Sequence, residues 1–401
     1  MKFAILVPDG AADRPVEKHG GATPLEAAYI PNMDFLAENG ICGTALTVPE
    51  GMPAGSDVAN FSLLGYDPRL YYSGRGPLEA ASMGVRLAPD EVAFRCNLVT
   101  VREGRLEDYS AEHISTREAA NLIHFLQDKL GDNYTRFYPG VGYRHLLVLR
   151  GLQYLEGRCV PPHDVVGREI EEILPEGPGE ERLQALMRLS HRLLSTHEVN
   201  RLREERGLRP ANMIWPWGQG KSPQLPSLRE RYGLAGAVIT AVDLVKGLGL
   251  LAGMEVVEVP GATGYYDTDY EAKAAYAVDS LRRLDLVYVH VEAPDEAGHE
   301  GDWDAKVKAL ERFDRHIVGA VLDATVQLQE NLCILLAPDH LTPLEVRTHV
   351  HDPVPFALYS PDVKPDAVKA FNEKAASQGR VQALPAWKLL DILAGRGAGA
   401  P

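Results

Sequence analysis

Residues 284–302, LDLVYVHVEAPDEAGHEGD, decide the fold. The first half is a short apolar run, and continuous apolar character marks a strand that is covered on both faces, as in a parallel sheet. The second half places several acidic side chains and His299 directly after that strand. Carboxylates are rarely buried unless a partner charge or a metal offsets their desolvation. The stretch therefore predicts a buried strand whose end carries charged chemistry.

Two further runs have the same apolar character, FAILV at residues 3–7 and NLCILLA at 331–337. Each is rich in β-favouring residues and too short for an ordinary helix. Helical patterns lie between the runs, among them YEAKAAYAVDSLRRL at 270–284 and DAKVKALERFDRHIVGAVLDATVQL at 304–328. This alternation of strand and helix predicts a doubly wound α/β core with a mostly parallel sheet.

The middle of the chain has a different pattern. VAFRCNLVTVREGRLEDYS at 92–110 predicts a hairpin that turns at Glu103 and Gly104. GQGKSPQLPSLRERYG at 218–233 is rich in Gly, Pro and Ser and predicts a connector. We therefore predict a smaller α/β domain inserted into the core, with the core at residues 1–88 and 232–401 and the insert at 89–231.

Composition limits the function classes. The 401 residues are 45% hydrophobic and 24% charged, as in soluble globular proteins. A net charge of −15 argues against nucleic-acid or anionic-membrane partners, although metals and local arginines can still favour a small phosphorylated substrate. The four cysteines form no CxxC pair, which favours reduced thiols and a cytoplasmic location. The first apolar run is too short for a signal peptide or a membrane span.

Each of the three apolar strands is followed by side chains that can bind a metal. They are Asp9 in VPDG, Asp295 and His299 in APDEAGH, and Asp339 and His340 in APDH. Any one alone is ordinary, because Asp after a strand commonly makes a turn or a helix cap. In open α/β sheets, however, ligands bind at the carboxyl ends of strands, so the three can meet. The pattern predicts a metal site, and such ligands suit Mn²⁺ or Zn²⁺ better than Mg²⁺.

A candidate nucleophile lies in EGMPAGSDVANFSLLGYDP at 50–68. Ser56 follows two small residues, which let a ligand approach the backbone, and it could open the following helix, whose N-terminus favours an anion. A metal-bound serine oxygen would be deprotonated near neutral pH and become an effective nucleophile. The alternative is a simple helix N-cap, which the GSD sequence alone favours.

Taken together, the motifs resemble a known family. They include VPDGAADRP, TPLEAA, PAGSDVANFSLLGYDP, YYSGRGPLEAASMGV, ITAVDLVKGLGLLAGM, VPGATGYYDTDY, HVEAPDEAGHEGD, PDHLTP and HVHDPVPF, and they run over nearly the whole chain. The chain resembles the archaeal-type, cofactor-independent (2,3-bisphosphoglycerate-independent) phosphoglycerate mutases of the alkaline phosphatase superfamily. That resemblance implies an alkaline-phosphatase-like, mostly parallel sheet with an inserted domain.

The resemblance also implies two divalent metal ions, with Mn²⁺ expected and Mg²⁺, Zn²⁺ and Co²⁺ as alternatives. The motif RTHVHDPVPF offers two histidines, and the family pattern selects His349, four residues before the first Pro, over His351. His351 would then be exposed or lie outside the ligand shell. One metal would be held by Asp9, Ser56, Asp339 and His340, and the other by Asp295, His299 and His349.

The resemblance implies a mechanism as well. Ser56 would attack the phosphate of 3-phosphoglycerate, and the resulting phosphoserine would return the phosphate to the 2-hydroxyl of the bound glycerate. The insert would hold the substrate and close against water. His113 in DYSAEHIS and Arg144 in GVGYRHLL match substrate-side positions. Lys308 is a further candidate, although a solvated helix face explains it equally well, and the same holds for Arg75.

One position departs from the family pattern. In PANMIWPWGQGKSP at 210–223, Trp217 stands where the family tends to carry an arginine, with Lys221 nearby. Either the domain surface is repacked or the substrate differs. The competing functions are a phosphomonoester or phosphonate hydrolase with the same metals and serine, and a non-catalytic metal-binding regulator. A homo-oligomer is compatible with the sequence, which does not fix the oligomeric state.

Overall fold

The computed structural model describes residues 1–328 and 330–396. The chain forms two compact units, one of Met1–Tyr72 together with the chain from Leu225 onward, the other of Ser73–Gln224. The strands are β1 Lys2–Pro8, β2 Ile41–Leu46, β3 Glu91–Arg102, β4 Arg105–Asp108, β5 Thr135–Tyr138, β6 Arg144–Arg150, β7 Met213–Gly220, β8 Gly236–Ile239, β9 Glu255–Val256, β10 Leu286–Val291, β11 Leu332–Leu336, β12 Val354–Tyr359 and β13 Val381–Pro385.

The helices surround these strands, and a π-helical stretch at Phe313–Val318 joins α13 to α14. The α-helices are α1 Pro24–Ala27, α2 Pro31–Glu38, α3 Ser56–Leu63, α4 Pro68–Tyr71, α5 Gly76–Ser82, α6 Thr116–Leu130, α7 Glu180–Leu194, α8 Glu198–Glu205, α9 Leu228–Tyr232, α10 Asp243–Leu251, α11 Tyr270–Arg283, α12 Ala293–Glu300, α13 Trp303–Arg312, α14 Gly319–Leu328, α15 Glu373–Ala376 and α16 Leu389–Leu393.

The first unit is built on a sheet that has eight strands among the described residues, in the order β13-β2-β12-β11-β1-β10-β8-β9. The central strand β1 pairs in parallel with β10 and β11, and β12 alone runs antiparallel to its neighbours. All of β10 and β11 is buried, as is β1 after its first residue. The three predicted strands and the mostly parallel α/β fold are therefore confirmed.

The second unit has an antiparallel sheet, in which β3 pairs with β4, β6 and β7, and β5 pairs with β6. The predicted hairpin is present, with Glu103 and Gly104 in left-handed conformations between β3 and β4. Apolar side chains of this sheet and of α6 and α7 form a separate hydrophobic core. The insert is thus a mixed α/β unit with its own core.

The boundaries of the second unit differ from the predicted 89 and 231. It begins at Ser73 because α5 packs on its sheet, where Ala80 is buried against Ala93 and Leu146. It ends at Gln224 because α9 belongs to the first unit, where the hydroxyl of Tyr232 donates to Asp391 at 2.7 Å. The predicted connector at 218–233 is too long, because its first three residues end β7 and residues 228–232 form α9, so the segment between these two elements is 221–227.

The cysteines agree with the prediction from their spacing. Cys42, Cys96, Cys159 and Cys333 are free thiols, and burial raises the pKa of Cys96 to about 12. Thiols with such a raised pKa are poorly reactive because the thiolate is the nucleophilic form. Within residues 1–328 and 330–396 we find no helix with the length and apolar character that crossing a bilayer requires.

Candidate active site

The ends of three parallel strands bring the acidic motifs together. In the register of β1, Pro8 lies opposite Val291 of β10, and Leu6 lies opposite Leu336 of β11. The residues that follow these strand ends must therefore share one edge of the sheet. Asp9 follows β1 directly, while Asp295 and Asp339 follow β10 and β11.

The first group consists of Asp9, Asp339 and His340, whose ligand atoms all lie within 4.8 Å of one another. His340 Nε2 is 3.4 Å from Asp9 Oδ1 and 3.6 Å from Asp339 Oδ2. The hydroxyl of Ser56 lies 3.0 Å from the same His340 nitrogen. All three group members are almost completely buried. The four residues expected to hold one metal are thus adjacent in the structure.

Ser56 is the first residue of α3 and is not its cap. The cap position is held by Gly55, which makes no side-chain cap bond, and the Ser56 hydroxyl points instead to His340. The N-terminus of a helix favours an anion at this point. The geometry therefore favours the nucleophile interpretation of Ser56 over the N-cap alternative.

The second group consists of Asp295, His299 and His349, again with ligand atoms within 4.8 Å of one another. Asp295 and His299 are four residues apart on α12, which puts both on one helix face. His299 Nε2 is 3.2 Å from Asp295 Oδ2, and His349 Nε2 is 3.5 Å from Asp295 Oδ1. The rings of His340 and His349 lie 3.9 Å apart, so the two groups are neighbours.

The chemistry of these groups fits divalent cations. Asp9 Oδ1 is buried without a hydrogen-bond partner among the described residues. Burial and the neighbouring carboxylates of Asp339 and Asp295 raise the pKa of Asp9 well above its usual range. Burial lowers the pKa of His340 to about 4, which keeps its imidazole neutral and able to bind a metal. A bound cation would offset both the unpaired oxygen and the carboxylate repulsion.

Several residues that support the site were missed by the sequence reasoning. The side-chain amide of Asn60 donates to the Ser56 carbonyl at 2.7 Å and to Asp339 Oδ2 at 2.9 Å, and Tyr288 donates to the Asn60 oxygen. His290 Nε2 lies 3.3 Å from Asp9 Oδ2 and is also fully buried. The available signal was that Asn60 follows Ser56 by one helical turn.

Glycine is required beside Asp9. Gly10 has a left-handed φ of 59°, and a Cβ there would come within 2.7 Å of both the Asp295 Cα and the Thr342 hydroxyl. Such distances are not tolerated, so the VPDG turn needs glycine to let the ligands approach. Its backbone N–H donates to Asp339 Oδ1 at 3.2 Å.

The structure separates the two histidines of HVHDPVPF. His349 belongs to the second group, whereas His351 is exposed and its Nε2 lies 2.8 Å from the Met52 carbonyl oxygen. We expect His349→Ala to lose most activity and His351→Ala to change it by less than about 10-fold, since His351 contacts the Met52 carbonyl and even the loss of an outer partner of a ligand costs only about 10–100-fold. Steady-state kinetics and metal content of both variants check this. The reverse ranking would contradict the assignment.

The second unit brings two of the predicted substrate-side residues together. His113 and Arg144 are both exposed, and both lie near Tyr143, with the His113 ring centroid 6.0 Å and the Arg144 guanidinium carbon 5.9 Å from that ring. Ala111, Glu112 and His113 have φ values of 49°, 56° and 49°. Three consecutive non-glycine residues in the left-handed region store strain, which concentrates at functional sites.

Hydrogen bonds to the side chain of Asp108 hold the strained turn in place. Asp108 accepts bonds from the Ser110 and Glu112 backbone N–H groups at 2.7 and 2.9 Å, and from Arg209 at 2.8 Å. Burial acts to raise the pKa of Asp108, but these hydrogen bonds outweigh it and hold the pKa below its usual range. These contacts with Asp108 therefore stabilise the unusual backbone conformation of the turn that contains His113.

Trp217 is buried and anchored by its indole N–H, which donates to Asn97 Oδ1 at 3.0 Å. The guanidinium carbons of Arg95 and Arg75 lie 5.0 and 5.5 Å from its ring centroid. Stacking of this kind orders arginine side chains. The aromatic ring at this position therefore organises two neighbouring guanidinium groups.

Lys308 lies elsewhere in the first unit. It is exposed on α13 and lines a cavity of about 420 Å³ together with Tyr266, Tyr270 and Arg312. None of these lining residues belongs to either of the two groups described above. The geometry does not bring Lys308 into those groups, and the solvated-face alternative stays open.

Fold and site together define a class. A buried serine hydroxyl lies beside two neighbouring groups of side chains that could hold a metal ion, at the strand ends of an α/β sheet, an arrangement suited to metal-assisted phosphoryl transfer.

Comparisons with known proteins agree with this class. The family described as 2,3-bisphosphoglycerate-independent phosphoglycerate mutase matches residues 37–200. A curated relative of that name from Methanosarcina barkeri is 53% identical, over 98% of this chain and 99% of its own length. The chain therefore belongs to the 2,3-bisphosphoglycerate-independent phosphoglycerate mutase family and is an enzyme.

Two solved structures have the same fold. A protein from Pyrococcus horikoshii is 30% identical with a TM-score of 0.82, covering 100% of this chain and 99% of its own. A cofactor-independent phosphoglycerate mutase from Thermoplasma acidophilum is 30% identical with a TM-score of 0.67, covering 99% and 100%. The predicted family resemblance and fold are thus confirmed.

Proposed function

We propose that the enzyme interconverts 3-phosphoglycerate and 2-phosphoglycerate through a phosphoserine at Ser56, with two divalent metal ions bound at the two groups. The observation that carries the proposal is the 3.0 Å contact of the Ser56 hydroxyl with His340, inside the first group. A nucleophile next to a cation site is what transfer of a phosphoryl group requires. The full-length relatives carry the mutase name.

The chain's own residues would act as follows. Ser56 Oγ forms a bond to phosphorus while the ester bond between phosphorus and the glycerate oxygen breaks, and the proton lost by Ser56 ends on that glycerate oxygen. The other hydroxyl of the bound glycerate then attacks the phosphoserine, the bond between Ser56 Oγ and phosphorus breaks, and the proton of that hydroxyl ends on Ser56 Oγ. Asn60 holds the Ser56 backbone carbonyl and Asp339 in place throughout.

The metals would be held by Asp9, Ser56, Asp339 and His340 in one group and by Asp295, His299 and His349 in the other. When bound, they would lower the pKa of the serine hydroxyl and neutralise phosphate charge. Mn²⁺ is the expected ion because the groups mix imidazole and carboxylate, with Mg²⁺, Zn²⁺ and Co²⁺ as alternatives.

The second unit would bind the anionic substrate. Arg144 is exposed, and a guanidinium binds carboxylate or phosphate bidentately. His113 lies beside the same tyrosine ring, in the strained turn described above. We therefore propose Arg144 and His113 as substrate-binding residues and the second unit as the substrate-binding domain.

The second candidate function is a phosphomonoester hydrolase, because the metals and Ser56 would serve it equally. The two functions differ in what attacks the phosphoserine. In a mutase the glycerate hydroxyl must compete with water, which a well-held acceptor can do since effective molarities of about 10⁵ M or more are attainable for oriented groups.

The test is turnover of 3-phosphoglycerate with Mn²⁺, without bisphosphoglycerate, in ¹⁸O-water. We expect 2-phosphoglycerate with unlabelled phosphate and little inorganic phosphate. Arg144→Ala should raise the hydrolysed share by roughly 10-fold, because a weakened hold lets water compete. Arg150→Ala, at the exposed end of the same strand and paired with Asp90, is the matched control. If the wild type releases mainly labelled inorganic phosphate, the enzyme is a hydrolase and the mutase function is wrong.

A further inference from the structure

We infer that Thr342 is a positioning residue shared by the two metal-binding groups, so that one hydroxyl sets the metal affinity of both. The inference rests on the two-metal site proposed above. It concerns a residue that touches one ligand of each group, Asp295 and His340, and whose side chain is fully buried between them.

The hydrogen-bond directions follow from a count of protons. The Thr342 hydroxyl donates its single hydrogen to Asp295 Oδ1, because a carboxylate can only accept. The same hydroxyl oxygen lies 3.2 Å from His340 Nδ1. With its hydrogen already used, the oxygen can only accept from that nitrogen, so His340 carries its proton on Nδ1.

This proton placement leaves the other histidine nitrogen free. His340 Nε2 faces Asp9, Asp339 and the Ser56 hydroxyl, and a neutral imidazole binds metal through its unprotonated nitrogen. In the other group, the bond from Thr342 fixes the rotation of the Asp295 carboxylate, whose Oδ1 lies 3.5 Å from His349 Nε2. One hydroxyl thus sets the tautomer of one ligand and the orientation of another.

The backbone of Thr342 is fixed by a buried ion pair. Its carbonyl oxygen accepts from Lys306 Nζ at 2.8 Å, and this fully buried lysine pairs with Asp13 at 2.8 Å. Gly298 and Gly10 pack closely against Thr342. A Cβ at Gly298 would lie 2.5 Å from the Thr342 carbonyl oxygen, and a Cβ at Gly10 would lie 2.7 Å from the Thr342 hydroxyl. A rigid hydroxyl of this kind preorganises its partners.

The experiment compares Thr342→Val with Thr342→Ser. Valine keeps the shape but removes the hydroxyl, whereas serine keeps the hydroxyl and loses only the methyl group. Calorimetric titration of the chelator-treated full chain with Mn²⁺ reports both ions. We expect Thr342→Val to weaken both by about 10–100-fold, the usual effect of losing an outer partner of a ligand. Thr342→Ser should stay within about 3-fold of the wild type. Circular dichroism checks that both variants are folded.

Asn60→Ala is the contrasting variant, because Asn60 contacts Asp339 and Ser56 of the first site and not Asp295, the residue of the second group that Thr342 touches. It should weaken only one ion. ¹⁵N NMR of the metal-free protein adds a readout that does not depend on metal. His340 should be protonated at Nδ1 in the wild type and in Thr342→Ser, and should become a mixture of tautomers in Thr342→Val.

The outcomes separate this inference from the proposed function. If Thr342→Val binds two Mn²⁺ ions with wild-type affinity, weakens only one, or matches Thr342→Ser, the inference is wrong even when the wild type is an active mutase. If Thr342→Val alone weakens both ions while the wild type converts no phosphoglycerate, the inference stands and the proposed function fails. A wild type that binds fewer than two ions overturns both.

Discussion

Ser56→Ala is expected to lower phosphoglycerate turnover by roughly 10⁴-fold or more, as removal of an attacking nucleophile does in enzymes with covalent intermediates. The hydroxyl is 3.0 Å from His340 and Ser56 is only 8% exposed, so water has little room to replace it as the attacking group. Ser56 does not cap α3, and the substitution should therefore leave the helix intact. Coupled-assay kinetics measure the loss.

Ser62→Ala is the matched control for this variant. Ser62 lies on the same helix, is fully buried and donates to the Thr47 carbonyl at 2.6 Å. Its loss should cost stability, about 1 kcal/mol for one hydrogen bond, but not chemistry. Mass spectrometry of a quenched wild-type reaction should also find phosphate on Ser56. If Ser56→Ala turns over substrate at more than about 1% of the wild-type rate, the phosphoserine route is ruled out.

The core of the fold could be predicted because its strands are buried on both faces. Such strands read as short unbroken apolar runs, and Phe3, Leu286 and Leu332 all lie in runs of this kind that pair in parallel. The acidic motifs could be placed for the same reason, since parallel strands end at one edge. Asp9 and Asp339 are remote in sequence yet meet there.

The supporting residues could not be predicted in the same way. Thr342 and Asn60 form hydrogen bonds with partners 47 and 279 residues away, and although Asn60 follows Ser56 by one helical turn, no local pattern encodes these distant contacts. The left-handed turn at His113 was equally hidden, because its sequence contains no glycine to mark it. The periodicity of a local stretch predicts which residues are buried. The hydrogen bonds and the left-handed turn depend instead on the positions of side chains that are distant in the sequence.

Trp217 is the position that departs from the family pattern. Taken alone, an aromatic residue in place of an arginine suggests a lost positive charge. In the structure Arg95 stacks near that ring, at 5.0 Å from its centroid, and is paired with Glu79 at 2.9 Å. Burial lowers the pKa of Arg95, with Arg75 and Arg144 contributing, so these cations are close enough to interact. Arginine side chains thus lie beside position 217 although that position carries no charge itself.

Removal of divalent metal is expected to abolish activity completely and reversibly. Without a cation, the buried carboxylates of Asp9, Asp339 and Asp295 repel one another, and Asp9 Oδ1 has no hydrogen-bond partner among the described residues. The chelated protein should also be less stable, by about 2.7 kcal/mol relative to protein with metal at 100 times its dissociation constant. Thermal unfolding with and without Mn²⁺ measures this second effect.

Two variants make the metal prediction specific. Asp339→Asn should lose one bound ion, and activity should fall by roughly 10³-fold or more. A residue that binds the metal directly contributes more than a partner of such a residue, whose loss costs about 10–100-fold. Glu296→Gln is the control, because Glu296 neighbours Asp295 on α12 but belongs to neither group. It should keep both ions and near wild-type rates. Metal analysis of each purified protein accompanies the kinetics. Full activity in a thoroughly metal-free sample would contradict the two-metal site, whatever the variants do, because every ligand assignment above depends on it.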